Sequence, residues 1–307
     1  MRPLPRLPAS ALRHAILLFV LTACTASAQE IWRLPVPQAE PGGTPGLGGG
    51  YRLGTDRYVG DEIVSDIVPL FLYEGKFLFA RGTEGGVHIV NNESFSFDLL
   101  TRFRFQQLDP EINEDPLVQG LRARKNTLDG GLAMETRNDW GDIRLEWLTD
   151  LQGKHRGQEA RTTYAFRMRR GNWALRPWVS LSWQNDKLTD YYYGISAEEA
   201  APGRPQYSPG DAFNFEFGIN TSIQLTDYIF AYGNVGFRAL DSTIADSPIV
   251  DTGYGASAFI GAGYMFSPLR KSSRVPKDRE GEWSWRVNAG YAAEENIFPY
   301  LMAGLIG

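Results

Sequence analysis

The feature that most constrains this chain is a two-residue alternation of apolar and polar side chains over long stretches. Across residues 213–225 one face carries Phe, Phe, Phe, Ile, Thr, Ile and Leu, and the other Asn, Glu, Gly, Asn, Ser and Gln. Alternation of this length indicates a β-strand, because successive side chains of a strand point to opposite faces. Similar alternation recurs at residues 95–105, 142–151, 161–169 and 173–184. The chain is therefore expected to be all-β.

The length of these segments distinguishes two β architectures. Strands of soluble sandwiches commonly have about five to six residues. A tilted strand that crosses a membrane needs about 9 to 11 residues, with aromatic side chains at the interfaces. The alternating segments are long, and the chain contains 17 Phe, 14 Tyr and 8 Trp residues. The sequence therefore predicts a transmembrane antiparallel up-and-down β-barrel.

The connections between segments support the same architecture. An outer-membrane barrel alternates short periplasmic turns with longer outer loops, and the connections near 74–75, 91–93, 139–140, 170–172 and 226–227 are short. We predict about twelve strands; ten strands remain open if the hairpins over 46–90 are assigned differently, and fourteen if residues 283–306 add two. The predicted strands lie near 46–54, 63–73, 76–82, 85–90, 94–106, 128–138, 141–151, 158–169, 173–185, 213–225, 228–240 and 254–266.

The last predicted strand carries a barrel-closing pattern. Gly261, Tyr264 and Phe266 resemble the glycine and aromatic signal found on the terminal strand of outer-membrane proteins. The chain continues beyond this signal, so we expect residues 267–307 to form a C-terminal extension in the periplasm or the lumen. The barrel itself is expected to span residues 46–266.

The N-terminus resembles a secretory signal. Basic residues precede an apolar run, and Ala28 ends an Ala-Ser-Ala cleavage site. We predict a signal peptide over residues 1–28 and a flexible leader rich in Pro and Gly over 29–45. Lipoprotein processing at Cys24 is the alternative. Cleavage after Ala28 removes three of 31 basic residues and leaves 28 against 36 acidic residues, a net charge of −8, which disfavours nucleic acid as a partner.

The sequence offers little for catalysis. A hydrolase would need a histidine base near a nucleophile, and His88 and His155 are the two histidines beyond the signal. We expect His155 to be an exposed loop residue and His88 to face the lumen or an interface. No nucleotide-binding, zinc or dinucleotide fingerprint is present, so we predict a non-enzyme without a metal or cofactor.

Charged residues fall on the predicted inward faces of the strands. In a narrow barrel such charges pair and fill the interior, whereas in a wider barrel they line a polar channel. We favour the filled interior. The candidates are Asp98, Arg102, Arg104, Asp142, Arg144, Glu146, Arg161, Arg167, Arg169, Arg176 and Glu216.

Several segments resemble the MltA-interacting protein (MipA/OmpV) family of Gram-negative outer-membrane proteins. They are PLFLYEGKFLFARG at 69–82, YYGISAEEA at 192–200 and ADSPIV at 245–250, with the opening at 51–60, and together they cover residues 46–266 in order. The resemblance implies a barrel without enzymatic activity or catalytic residues. It also implies a scaffold that brings a lytic transglycosylase together with a murein synthase.

The resulting expectation is an outer-membrane barrel in contact with lipid that acts as an interaction protein in cell-envelope assembly. Its docking surface is expected at the periplasmic turns and the 267–307 extension, with murein-remodelling enzymes as partners. A small-solute channel is the alternative, and an outer-membrane hydrolase is a weaker one.

Overall fold

The computed structural model describes residues 44–60 and 63–269. Thirteen strand segments form one antiparallel sheet in this part of the chain. They are β1 (Thr44–Thr55), β2 (Ile63–Glu74), β3 (Leu78–Gly82), β4 (Glu84–Asn91), β5 (Phe95–Arg104), β6 (Thr127–Asn138), β7 (Gly141–Asp150), β8 (Gln158–Ala165), β9 (Met168–Arg170), β10 (Trp173–Gln184), β11 (Ala212–Gln224), β12 (Ile229–Ala239) and β13 (Tyr254–Met265).

The sheet closes into a barrel. Strands adjacent in the sequence pair with one another, and β13 returns to pair with β1 from Gly46 opposite Met265 to Gly54 opposite Ser257. Both β8 and β9 pair with β10, because residues 166–167 interrupt a single strand. Twelve strands therefore surround the barrel, and the predicted fold class and strand number are confirmed.

The predicted strand positions agree closely with the structure. The short segments β3 and β4 lie at the predicted places, so the ten-strand alternative is wrong. The differences are local: β1 begins at Thr44 rather than 46, β3 begins at Leu78 rather than 76, and β5 ends at Arg104 rather than 106. The predicted strand at 158–169 is broken at Phe166 and Arg167. Phe166 still donates its N–H to the Pro177 carbonyl at 2.9 Å, so the break does not open the wall. The predicted signal peptide, residues 29–43 of the predicted leader and residues 270–307, which include 283–306, lie outside the described residues.

The two ends of the barrel differ in their connections. At one end, called the turn end, the connections are 75–77, 92–94, 139–140, 171–172 and 225–228. At the opposite loop end the connections are mostly longer and include 105–126, 185–211 and 240–253. Two helices lie in these loops, Asp186–Tyr193 and Ser242–Ala245. No helix in the described part of the chain is long and apolar enough to span a membrane.

Alternation places apolar side chains on the outer wall. On β11, Phe213, Phe215, Phe217 and Ile219 are exposed, while Asn214 and Glu216 between them are buried. Exposed aromatic side chains also encircle the turn end, as expected at a membrane interface. They are Phe77, Trp140, Trp173, Tyr228, Tyr264 and Phe266.

The interior has one apolar side, formed by β1, β2, β12 and β13. Val68, Leu70, Leu72, Phe230, Tyr232, Phe259 and Met265 form a buried cluster there. Glycines on β1 and β13 leave room for its rings: a Cβ on Gly50 would lie 2.5 Å from Phe259 Cζ, and one on Gly263 would lie 2.6 Å from Phe230 Cζ. Packing of the aromatic rings on this side therefore requires glycine at these positions of the wall.

Candidate functional site: the charged interior and the loop cap

The side of the interior opposite the apolar cluster is filled with ion pairs. In the central cluster, Arg102 Nη2 lies 2.6 Å from both Glu84 Oε2 and Glu146 Oε1. Arg144 Nη2 lies 3.0 Å from Glu84 Oε1, and Arg144 also pairs with Glu146. These four side chains are at most 8% exposed. Such burial requires that each charge be paired, and the interstrand register supplies the partners.

A second cluster lies nearer the loop end. Arg104 contacts Asp129 at 2.6 Å and Glu159 at 2.9 Å. Arg161 contacts Glu159 at 2.7 Å and Glu216 at 3.0 Å, so the cluster links β5 to β11 through β6 and β8. The side chains of this cluster are at most 13% exposed, so they fill space that a polar channel would need.

Further pairs lie toward the turn end. Asp142 contacts Arg167 at 2.9 Å and Arg176 at 2.7 Å. His88 Nδ1 lies 2.6 Å from Asp98 Oδ1, and its Nε2 lies 3.1 Å from Glu74 Oε1. Four of the predicted interior charges are half-buried: Arg104, Arg167, Arg169 and Arg176.

His155 differs from the expectation. It lies in a loop, as predicted, but it is 4% exposed instead of solvated. Its Nδ1 accepts the Gly157 N–H at 2.9 Å, so its Nε2 is the donor to Asp129 Oδ1 at 2.9 Å. The basic flanking residues suggested exposure, whereas the loop folds inward to give Asp129 a second partner.

Asp129, Asp150 and His155 are the one group in the described residues with metal-ligand spacing, since their ligand atoms lie within 4.8 Å. Their donor atoms already have protein partners. Asp129 binds Arg104 and His155, while Asp150 accepts the backbone N–H groups of Gln152 and Arg156. The arrangement therefore functions as a hydrogen-bonded loop anchor.

The loop end carries a packed cap with its own apolar core. Its residues come from four connections and from the first residue of β11: Tyr58, Leu108, Val118, Leu121, Leu188, Tyr192, Tyr193, Ile195, Ala212, Ile244, Ile249 and Val250. Tyr58 donates to the Tyr192 carbonyl at 3.1 Å, and Ser247 donates to the Tyr193 carbonyl at 2.7 Å. Burial raises the pKa of both Tyr58 and Tyr192. Three segments of the family resemblance thus meet in this cap.

Glu199 connects two of the loops that form the cap. Its carboxylate accepts the backbone N–H groups of Arg122 at 2.8 Å and Ser196 at 3.0 Å, and it pairs with Arg124 at 3.0 Å. Burial alone would raise the pKa of Glu199, but the hydrogen bonds from Arg124 and these backbone groups lower it below its usual 4.5. Arg204 adds donations to the carbonyls of Leu117, Gln119 and Glu199.

The sequence candidates for the interior come together in these clusters, but several of their partners were missed. Glu84, Asp129, Glu135 and Glu159 are buried acidic residues that were not selected. The alternation contained a usable signal, because Glu159 and Arg161 share one face of β8, and Asp129 and Glu135 share one face of β6.

The strand with the closing pattern is β13, which pairs with both β12 and β1. Gly261 lies close to the Tyr232 ring, and a Cβ added at this position would lie 2.6 Å from Tyr232 Oη. Tyr264 is exposed and stacks on Tyr228, and Phe266 is exposed directly after the strand. The aromatic residues of the pattern thus belong to the girdle at the turn end.

Comparisons with known proteins agree with this architecture. The family model of MltA-interacting protein MipA matches residues 47–266. The chain belongs to this family. It is 24% identical to the outer membrane protein YiaT of Escherichia coli K12 over 77% of this chain and 96% of that protein. It is also 24% identical to the MltA-interacting protein of Escherichia coli K12, over 65% of this chain and 81% of that protein.

Outer membrane protein OmpV of Vibrio cholerae is 27% identical over 44% of this chain and 52% of that protein. Among solved structures, an outer membrane channel from Pseudomonas putida F1 aligns over 77% of this chain and all of that chain, with 10% identity and a TM-score of 0.42. The protein is an outer-membrane β-barrel, so the loop end faces outward and the turn end faces the periplasm. These relatives are named as membrane or interaction proteins.

Proposed function

We propose that this protein is an interaction protein of the cell envelope, with the barrel as its anchor and the periplasmic turn end as its docking surface. The proposed partners are murein-remodelling enzymes, a lytic transglycosylase and a murein synthase. The name of the MltA-interacting relative supports this partner class.

The observation that carries the proposal is the filled barrel. Buried ion pairs fill one side of the interior from β5 to β11, an apolar cluster occupies the other side, and a cap core covers the loop end. A barrel filled in this way is suited to anchoring rather than to solute passage. The periplasmic turns are then the part of the described barrel best placed to contact a soluble or lipid-anchored murein enzyme.

Crosslinking in intact cells followed by affinity purification tests the docking surface. We expect a murein enzyme among the crosslinked proteins, and we expect its yield to fall when turn charges are reversed with Lys76→Glu and Glu93→Lys. A matched control is Glu111→Lys, which reverses a charge on an exposed loop residue at the opposite end. Retention of all murein-enzyme binding after the turn reversals and deletion of residues 267–307 contradicts the proposal.

Planar-bilayer recording separates anchoring from transport. We expect no single-channel conductance from the purified protein, because the charged clusters and the cap occupy the lumen. Steady conductance steps would instead support the small-solute channel. Both measurements should follow a boiling-dependent mobility shift on a semi-native gel, which shows that the barrel is closed.

A further inference from the structure

The barrel wall contains a notch between β2 and β5. β2 pairs with β1 along all twelve of its residues, but only Phe71 to Glu74 pair with β3. Among the described residues, 63–70 therefore have a strand partner on one side alone. The intervening β3–β4 hairpin turns back at Thr83, whose carbonyl accepts the Phe103 N–H at 3.1 Å. The hairpin fills the periplasmic half of the wall and leaves the outer half without its two strands.

The notch opens at the depth of the outer leaflet. With the hairpin between them, β2 and β5 stand three strand spacings apart, about 14 Å. Ile67 on the free edge is 83% exposed, the largest exposed fraction among the exposed large apolar side chains of the described residues. On the opposite side, the Phe103 and Phe105 rings meet edge to face with their centroids 4.6 Å apart. The side chains around the notch therefore suit an acyl chain.

A buried cation lies on β1, one strand beyond the free edge of β2. Phe105 packs against the apolar cluster of the interior, beyond the end of β5. Arg52 and Asp66 face each other on β1 and β2 at this level and form an ion pair. Arg52 is buried, and its Nε has no hydrogen-bond partner among the described residues. A guanidinium has five N–H donors, so Arg52 can bind a second anion while it keeps Asp66.

The free backbone edge narrows the choice of ligand. Unpaired N–H and C=O groups are unfavourable in a hydrocarbon environment, so a plain hydrocarbon would leave them unsatisfied. An amphiphile brings hydrogen-bonding head-group atoms and water to the edge. A polypeptide strand would satisfy the edge as well, but its backbone would pair with β2, and it would need a suitably placed side chain to reach the unpartnered Arg52 Nε.

We propose that the notch binds an anionic amphiphile of the outer leaflet, with its acyl chain against Ile67, Phe103 and Phe105 and its charged group toward Arg52. The shared chemistry is a carboxylate or phosphate joined to an acyl chain. This site is independent of periplasmic docking, so either proposal can fail without the other.

Photolabelling of the full-length protein in phosphatidylcholine vesicles tests the site. The probe is palmitate with a diazirine at mid-chain, and its neutral match is the glycerol monoester of the same acid. We expect palmitate to label residues 63–70 and 103–105 more strongly than the outward face of β11. The monoester should label residues 63–70 and 103–105 less than palmitate does. Unlabelled palmitate and a phosphorylated glycolipid, added as separate competitors, distinguish a fatty acid from a lipid head group.

Variants separate binding from folding. Arg52→Gln combined with Asp66→Asn removes the cation without leaving an unpaired charge, and palmitate labelling should fall about tenfold, as for loss of a charge-assisted hydrogen bond. Ile67→Trp should block the notch, whereas Ile219→Trp adds the same bulk on β11, which is paired on both sides. Each variant must retain its heat-modifiable mobility.

Two outcomes overturn the proposal. In the first, labelling is equal at the notch and on β11, or equal for the acid and the monoester, which identifies ordinary boundary lipid. In the second, intact-mass analysis finds a peptide retained by the purified protein and crosslinked to residues 63–70, which makes the occupant a polypeptide strand.

Discussion

The two sides of the barrel interior are filled by different kinds of side chain. Across β4 to β8 and β11, arginines and carboxylates are buried as pairs between strands one to three positions apart in the sheet. Across β1, β2, β12 and β13, aromatic and aliphatic side chains lie over glycines. The charged side depends on the identity of each partner, whereas the apolar side depends on volume. The difference predicts which substitutions each side tolerates.

The largest effect is expected from removing one buried charge. Arg144→Met leaves Glu84 and Glu146 short of a partner, and loss of one member of a buried pair lowers the free energy of unfolding by about 3–5 kcal/mol. Urea unfolding of the refolded protein in vesicles, followed by tryptophan fluorescence, measures the change.

Arg122→Met is the matched control, because the Arg122 side chain is 73% exposed although it also contacts a carboxylate. Its effect should be at most about 1 kcal/mol. Equal destabilisation by the two variants would contradict the view that burial makes the interior pairs strongly coupled.

A smaller loss is expected on the apolar side. Leu70→Ala removes a buried side chain next to the ring cluster and should lower the free energy of unfolding by about 3 kcal/mol. Leu70→Met nearly conserves volume and should cost less than about 1.5 kcal/mol. The same urea experiment measures both. If the methionine variant is as damaging as the alanine variant, volume does not govern this side.

Glu199→Gln extends the comparison to the cap. The substitution weakens the hydrogen bonds from Arg124 and the backbone and should destabilise the cap by about 2 kcal/mol. The barrel should keep its heat-modifiable mobility while trypsin cleaves the 105–126 loop faster. Exposed Glu198→Gln is the control. Unfolding of the whole barrel by Glu199→Gln would show that cap and wall are one cooperative unit.

The smallest effect is a dependence of the cap on pH. The pKa of Glu199 is below its usual 4.5 in the folded protein, so the ionised carboxylate stabilises the cap fully above about pH 4.5. This stabilisation is lost progressively as the pH falls below that value. Hydrogen exchange of residues 105–126, corrected for intrinsic rates, should show faster opening at pH 3 than at pH 6, and Glu199→Gln should remove the difference.

Most of the wall could be predicted from the sequence because a barrel strand has a local signal. The alternation of thirteen residues at 213–225 is enough to predict a strand. The short turns indicate that strands adjacent in the sequence pair with one another. The break at Phe166 has no such signal, since the alternation of side chains continues through it. Register, which decides that Arg102 meets Glu84, depends on two strands at once.

The cap could not be predicted in the same way. Its core joins single apolar residues such as Tyr58, Leu108, Ile195 and Ile244, which follow no period and lie in different connections. His155 shows the same limit, because its hydrogen-bond partner Asp129 lies on β6 and not in the loop that contains His155. The sequence predicts two short strands at 76–82 and 85–90. The notch exists because β2 beside them is longer, so that most of one edge of β2 has no partner.

The pairing of β1 with β13 also determines the order of events when the barrel forms. Gly46 lies opposite Met265, so closure joins residues more than 200 positions apart. Contacts of such long sequence separation form slowly, because a large loop must be ordered first. The barrel cannot close until nearly the whole barrel sequence has been exported. Until then, the edge of β1 that later pairs with β13 has no strand partner.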